Sequence, residues 1–190
     1  STYRNLHQLL TLVYPERQLE MVRSMVGMYR EWGWLPKWEL YGRETFTMEG
    51  DPSIPVIVDT WMKGLRDFDM DAAYEAMRKS ATTPGARNRM RPDIDPYIEK
   101  GYVPLGFYAR DLSGDNSVSH ALEYYIADHA LSLLADSLGK KDDAALFRAR
   151  SLGYKNYYST ESGTFRPITR EGKFLTPFDP RQGENFEPVP

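Results

Sequence analysis

Residues 117–138 read SVSHALEYYIADHALSLLADSL. Apolar side chains at Val118, Leu122, Tyr125, Ile126, Leu133, Leu134 and Leu138 leave this stretch little polar face. The spacing predicts a helix that is mostly buried. Gly139 follows as a C-cap. From Lys141 to about Tyr158 the pattern predicts a further helix, with Asp142 and Asp143 near its positive end. Upstream, a helix runs from near Pro52 to about Leu65. Its middle, Ile54 to Met62, is apolar except for Asp59. Met70 to Ser80 is amphipathic and capped by Asp69. Tyr3 to Val13 is a short helix with Leu6, Leu9, Leu10 and Val13 on its apolar face. Tyr14–Pro15 breaks it, and Pro15 opens the next helix, Pro15 to Trp32. There Leu19, Val22, Val26 and Tyr29 form the apolar stripe, opposite Glu16, Arg17, Glu20, Arg23 and Arg30.

These helices form three pairs, so the expected fold class is all-α, built of antiparallel helical hairpins. In the second and third pairs the first helix is the more apolar, as in an inner ring covered by an outer one. Connections within a pair are short. Those leaving a pair, 33–51, 81–116 and 159–190, are long. The middle one holds a helical turn from Pro96 to Lys100, and the last a hairpin over Phe165 to Leu175. In an antiparallel array all long loops emerge on one face, and long loops in small domains usually carry function. That face should present Trp34, Trp38, Arg43, Glu44, Asp51, Arg87, Asn116 and the aromatic tail.

Composition narrows the classes. The 190 residues carry 24 Lys+Arg against 27 Asp+Glu, a formal charge of −3, which argues against a nucleic-acid binder. With no cysteine, disulfide scaffolds, thiolate metal sites and cysteine nucleophiles are excluded. No run of apolar residues is long enough to span a membrane. Tyrosines number 13, tryptophans 4 and phenylalanines 8, an excess that suits either a concave ligand face or a Tyr-rich core. Phosphate loops, dinucleotide fingerprints and nucleophile elbows are missing.

The chemistry concentrates in Gly42–Arg43–Glu44–Thr45, followed by Met48 and Gly50–Asp51–Pro52. A guanidinium beside a carboxylate can grip a polyhydroxylated ligand. The same residues could instead staple the loop, with Asp51 capping the helix that follows. Asp59, Glu123 and Asp128 are carboxylates inside apolar helices, which must be paired or serve as acids, bases or hydroxyl acceptors. Helical spacing sets Glu123 and Asp128 on different faces. His120 and His129 share nearly one face and leave a metal pair open. The run Arg87 to Arg91 reads as solvated or loop-anchoring charge.

Taken in order, Tyr14–Pro15–Glu16–Arg17, Gly33 to Trp38, Gly42–Arg43–Glu44–Thr45 with Met48 and Gly50–Asp51–Pro52, Ser117–Val118–Ser119 with Leu122–Glu123–Tyr124, and Arg166–Pro167 with Pro177–Phe178 resemble glycoside hydrolase family 92, the calcium-dependent exo-α-mannosidases. His120–Ala121 stands where some members carry a basic residue and Thr. The resemblance covers essentially the whole chain. It implies that residues 1–190 are part of an (α/α)6 catalytic domain, about half of the barrel, with a β-sandwich before it and the other half outside this sequence. It implies inverting hydrolysis of terminal α-mannose on glycans, assisted by calcium, by a bacterial enzyme that is periplasmic or extracellular. In members an Asp contacting mannose precedes the Thr–Tyr–Arg matched by Thr2–Tyr3–Arg4, and residue 1 here is Ser. The general acid and base are expected beyond Pro190, and neither Glu184 nor Glu187 fits the acid's motif. No catalytic residue or metal ligand is therefore assigned within the chain. Arg43, Glu44, Asp51 and Glu123 are the candidate substrate-binding residues in the wall of the mannose pocket. The implied partners are a mannose-containing glycan and the rest of the same polypeptide, with no nucleic acid. A non-catalytic carbohydrate-binding or interaction scaffold, or another (α/α)6 glycosidase, is the competing reading.

Overall fold

Tyr14 and Pro15 split the first helical stretch in two in the computed structural model of the chain, which describes residues 2–85, 87–107 and 116–181. A single 3₁₀ turn, Thr2–Arg4, precedes α1 (Leu6–Val13). α2 (Pro15–Trp32) carries Pro15 in its first turn, where no helical N–H is lost, and ends at Gly33 in the left-handed conformation. α3 (Ser53–Met62) and α4 (Met70–Thr82) form the second pair. Asp69 caps α4 by accepting the Ala72 N–H at 3.0 Å. α5 (Ile94–Lys100) lies in the long connection. The third pair is α6 (Ser117–Ser137) and α7 (Lys141–Ser151). α7 tightens into a 3₁₀ segment, Leu152–Tyr157, instead of continuing as α-helix. Gly153 shows why that segment packs so closely: a Cβ there would lie 2.6 Å from the Tyr125 ring and 2.8 Å from the Gly101 carbonyl.

α1, α3 and α6 lie side by side in that order, and α2, α4 and α7 back them. The fold class is all-α, with antiparallel hairpins and the long loops on one face. α3 and α6 bury residues on most sides, as their composition requires. α1 corrects the sequence expectation. Its buried positions are His7 and Thr11, while Leu6, Leu9, Leu12 and Val13 are exposed. A buried polar ladder sets this rotation. His7 Nδ1 meets Gln18 Oε1 at 3.0 Å, and Gln18 Nε2 donates to Thr60 Oγ1 at 2.9 Å, linking α1, α2 and α3.

One core cluster gathers Val22, Val26, Ile54, Ile57, Met77 and Leu131 with Phe147 of α7. A second is built on Tyr97, Val103, Tyr124, Tyr125, Tyr157 and Ile168. Four tyrosines therefore serve this cluster, and each of their ring hydroxyls has a partner, whereas Tyr14, Tyr41, Tyr154 and Tyr158 are exposed. Tyr97 donates to Asp128 at 2.8 Å, Tyr124 to Asp93 at 2.6 Å, Tyr125 to the Gly101 carbonyl at 2.5 Å and Tyr157 to the Val103 carbonyl at 2.9 Å. Two small antiparallel ribbons interrupt the helices: β1 (Glu39–Leu40) with β2 (Arg43–Glu44), and β3 (Tyr158–Ser159) with β4 (Thr164–Phe165). Beyond β4, an Ile168–Phe174 bridge closes the hairpin foreseen over Phe165 to Leu175. Among the described residues, no helix is long and apolar enough to cross a membrane.

Candidate functional site

The connection from α2 to α3 folds around Glu44. Its carboxylate accepts the backbone N–H groups of Lys37, Trp38 and Phe46 at 2.6–3.1 Å. These bonds fix the base of the β1–β2 hairpin. Its two turn residues, Tyr41 (φ 51°) and Gly42 (φ 70°), are both left-handed, the arrangement of a type I′ turn. Tyr41 at the tip is 96% exposed, and Arg43 beside it is exposed too. Phe46 (φ 56°) and Met48 (φ 67°) are left-handed as well. Each such non-glycine residue costs about 1–3 kcal/mol, and this kind of strain clusters at ligand sites. The surroundings hold it in place: Arg89 stacks on the Phe46 ring at 3.8 Å, and Lys37 Nζ donates to the Met90 carbonyl at 2.8 Å.

The loop ends against α6. Gly50 has φ 83°, and a Cβ there would fall 2.6 Å from Cβ of Glu123. Only glycine satisfies both the backbone and the contact. The Glu123 carboxylate accepts the Tyr3 hydroxyl on one oxygen and the Arg4 guanidinium on the other. The 3₁₀ turn, the entry to α3 and the first turns of α6 therefore converge at one point. Burial raises the Tyr3 phenol pKa, and the bond to Glu123 raises it further.

Behind this point lies a buried ionic network. The Asp51 carboxylate accepts Ser80 Oγ at 2.7 Å and Arg91 Nε at 3.0 Å. Arg91 is fully buried and also donates Nη1 to Asp128 at 2.7 Å. Asp128 further accepts the Tyr97 hydroxyl, and Arg150 Nε at 2.7 Å. Asp93 takes His120 Nδ1 at 2.7 Å and the Tyr124 hydroxyl. Burial alone would raise the Asp93 carboxyl, but the bonds from His120 and Tyr124 and the charge of His120 hold it below the usual carboxylate value. Burial depresses Lys37, against the pull of Asp51, Asp93 and Glu44. Burial also works against the charge on Arg91, yet Asp128 and Asp51 reverse that and raise it.

Against these contacts the candidate residues sort clearly. Asp51 does not cap α3 with its side chain; that side chain turns inward to Ser80 and Arg91. Glu44 holds the loop, Arg43 sits on the exposed hairpin, and Glu123 packs on Gly50, next to Asp51. Glu123 and Asp51 thus flank the same loop end but reach in different directions. Asp59 is spent on Lys63 at 2.8 Å, away from this region. His120 and His129 answer to separate partners, His129 meeting Arg148 at 3.2 Å. Arg91, in a run read as solvated or loop-anchoring charge, anchors its loop as the hub of the network; nothing in its sequence neighbours marked it for burial. Trp34 is packed under Lys79, whose Nζ lies 4.7 Å from its ring. Ser1 and the tail from 182 on, including Glu184 and Glu187, lie outside the described residues.

A cavity of about 310 Å³ opens between the 3₁₀ turn, α2, residues 36–39 and the start of α3. Met21, Met25 and Met28 of α2 line it, together with polar residues that include Tyr3, His7, Ser24, Lys37 and Glu39. Among the described residues, no three His, Asp or Glu side chains come together to hold a metal ion. The buried carboxylates Asp93 and Asp128 are occupied by arginine, tyrosine and histidine donors, and Asp51 holds Ser80 and Arg91 on Oδ2 with Oδ1 buried and unbonded. The residues present do not fit a calcium cage.

Residues 1–188 match the profile of the glycosyl hydrolase family 92 catalytic domain. The chain is similar to an inverting mannosidase of this family from Bacteroides thetaiotaomicron, at 32% identity and TM-score 0.85, over 94% of this chain and 24% of that one. An α-mannosidase of the same family and organism, solved with mannoimidazole, matches at 34% identity and TM-score 0.82, over 94% of this chain and 22% of that one. An uncharacterized secreted glycosidase from Arthroderma benhamiae is 28% identical over 162 residues, which are 83% of this chain and 21% of that protein. The chain thus spans between a fifth and a quarter of the length of these relatives.

Proposed function

The chain belongs to glycosyl hydrolase family 92, and from that premise we propose that it forms part of the catalytic domain of an exo-acting α-mannosidase, one that removes terminal α-linked mannose from glycans with inversion. The observation that carries this reading is the match of 94% of the chain, at 32–34% identity, to two mannosidases of the family. In the proposed whole enzyme a β-sandwich precedes this segment and further helices complete an (α/α)6 barrel. The enzyme acts in the periplasm or outside the cell.

Inversion uses one carboxylic acid to protonate the leaving oxygen and one carboxylate to activate water on the opposite face of the ring. Both groups fall outside this chain in the proposed arrangement, as do most of the calcium ligands. What the chain supplies is binding and orientation. The hairpin sets Arg43 at the open face, Glu44 fixes the strained loop that carries it, and Glu123 fixes the 3₁₀ turn. Asp51 anchors the end of that loop from behind through Arg91.

The test is an assay of the full-length protein on an aryl α-mannoside. Mannose release is expected, lost in excess EDTA and restored by calcium. Undiminished activity in the chelator would remove calcium from the reading, and no release from any α-mannoside would remove the activity. Arg43→Ala should lower kcat/KM by about tenfold, the worth of one charge-assisted hydrogen bond. Wild-type kinetics in this variant would take Arg43 out of the site.

A further inference from the structure

We propose that the cavity between the 3₁₀ turn, α2, residues 36–39 and α3 is a site for one soft monovalent metal ion, Cu(I), held by Nε2 of His7 and the thioethers of Met21 and Met25. Such a site does not depend on any activity toward mannosides. The nitrogen is set by a directed chain of hydrogen bonds. The Thr60 hydroxyl has one proton and gives it to the Val56 carbonyl at 2.7 Å. Toward Gln18 it can therefore only accept, so the Gln18 amide nitrogen faces it and the amide oxygen faces His7. That oxygen also only accepts, so the proton of the neutral imidazole sits on Nδ1, 3.0 Å away. Nε2 is then a bare lone pair. It has no hydrogen-bond partner among the described residues. His7 is only 8% exposed, and it lines the cavity. A histidine whose other ring nitrogen donates to an anchored oxygen is oriented as metal-binding histidines are.

The sulfur comes from α2. Gln18, Met21, Met25 and Met28 succeed one another at helical spacing and share one face. The residue that anchors His7 is therefore followed on the same stripe by Met21 and Met25, and all three methionines line the cavity. Met28, one turn further on, adds polarizable surface. The chain has no cysteine, so thioethers are its softest ligands, and soft sulfur selects Cu(I) over hard cations. Most other polar groups of the lining are already committed. Ser24 Oγ donates to the Glu20 carbonyl, Ser53 Oγ to the Pro36 carbonyl and Lys37 Nζ to the Met90 carbonyl. The Tyr3 hydroxyl is held by Glu123. What faces the cavity uncommitted is one imidazole nitrogen beside a row of thioethers, and the open cavity gives an ion its way in.

The test uses the full-length protein with ¹³C-methyl methionine, titrated with Ag(I) as a redox-inert stand-in for Cu(I). The methyl resonances of Met21 and Met25 should shift before those of Met48 and Met62, which are 63% and 51% exposed. Shifts of all four at one silver concentration would mean adventitious thioether binding and overturn the site. Displacement of the silver by equimolar Zn(II) would assign the cavity to a harder ion and overturn it too. Cu(I) affinity is then read anaerobically by competition with bicinchoninate. Met21→Leu with Met25→Leu conserves volume and removes both sulfurs. It should weaken Cu(I) binding by more than about 100-fold, beyond the loss expected from an outer-shell partner. His7→Asn, whose amide N–H can still donate to Gln18, should weaken it by a similar factor. Unchanged Cu(I) affinity in either variant would overturn the site.

Discussion

Gly50 and Glu123 show how much one missing methyl group can decide. With φ 83° and a would-be Cβ at 2.6 Å from Glu123, Gly50→Ala is strained by its backbone and by its neighbour at once. It should destabilise the protein by about 3 kcal/mol, measured by denaturant melts of the full-length enzyme. A loss below 0.5 kcal/mol, on the order of an ordinary surface substitution, would show that the loop yields there. The sequence made Gly50, Asp51 and Glu123 conspicuous, because Gly–Asp–Pro before an apolar helix and a carboxylate inside one are both unusual. It did not show that Gly50 touches Glu123, since residues so far apart in the chain carry no local signal of contact. Glu44 was equally visible, and its three N–H partners became apparent only once the hairpin turn was known. A tyrosine at the first left-handed position of that turn is not a sequence signature, so the hairpin itself was illegible.

The helices were far more legible than their orientations. Periodicity, Pro15, Asp69 and the glycines after α2 and α6 locate most helix ends within a few residues, because caps and breakers act locally. α1 was turned the wrong way because its leucines look like a core stripe, whereas the buried His7–Gln18–Thr60 ladder fixes the helix from the other side. The ionic network ties α3, α4, α5, α6 and α7 through Arg91. Arg91→Met leaves Asp51 and Asp128 buried without their shared cation and should cost about 3–5 kcal/mol in the same melts. Asp93 gives this network a pH signature. Its carboxyl is held below the ordinary value of 3.8, so it binds a proton less readily folded than unfolded. Its stabilising contribution is present above that ordinary value and is lost as pH falls through the lower folded value. Asp93→Asn should therefore be less stable at neutral pH and lose less stability between pH 5 and 2 than the wild type. Parallel stability–pH curves for the two proteins would contradict this.

Across the molecule, alternation of short and long connections was enough to place the loops on one face, because antiparallel helices leave no other arrangement. The ordered motifs on that face carried the family resemblance. Charge runs and aromatic counts said less: solvated and loop-anchoring arginines look alike in the run 87–91, and the tyrosines divide between core and surface. The apolar face of α1, with Leu9 53% and Leu12 73% exposed, is broad enough to need cover. Residues 1–190 produced alone should self-associate in sedimentation experiments, and Leu9→Lys with Leu12→Lys should restore a monomer. A monomeric wild-type fragment would show that this face tolerates water. The chemistry itself is read most directly from the first sugar released. In proton NMR of the full-length enzyme acting on an aryl α-mannoside, β-mannose should appear first and then mutarotate. α-Mannose appearing first, or no mannose at all, would contradict an inverting α-mannosidase.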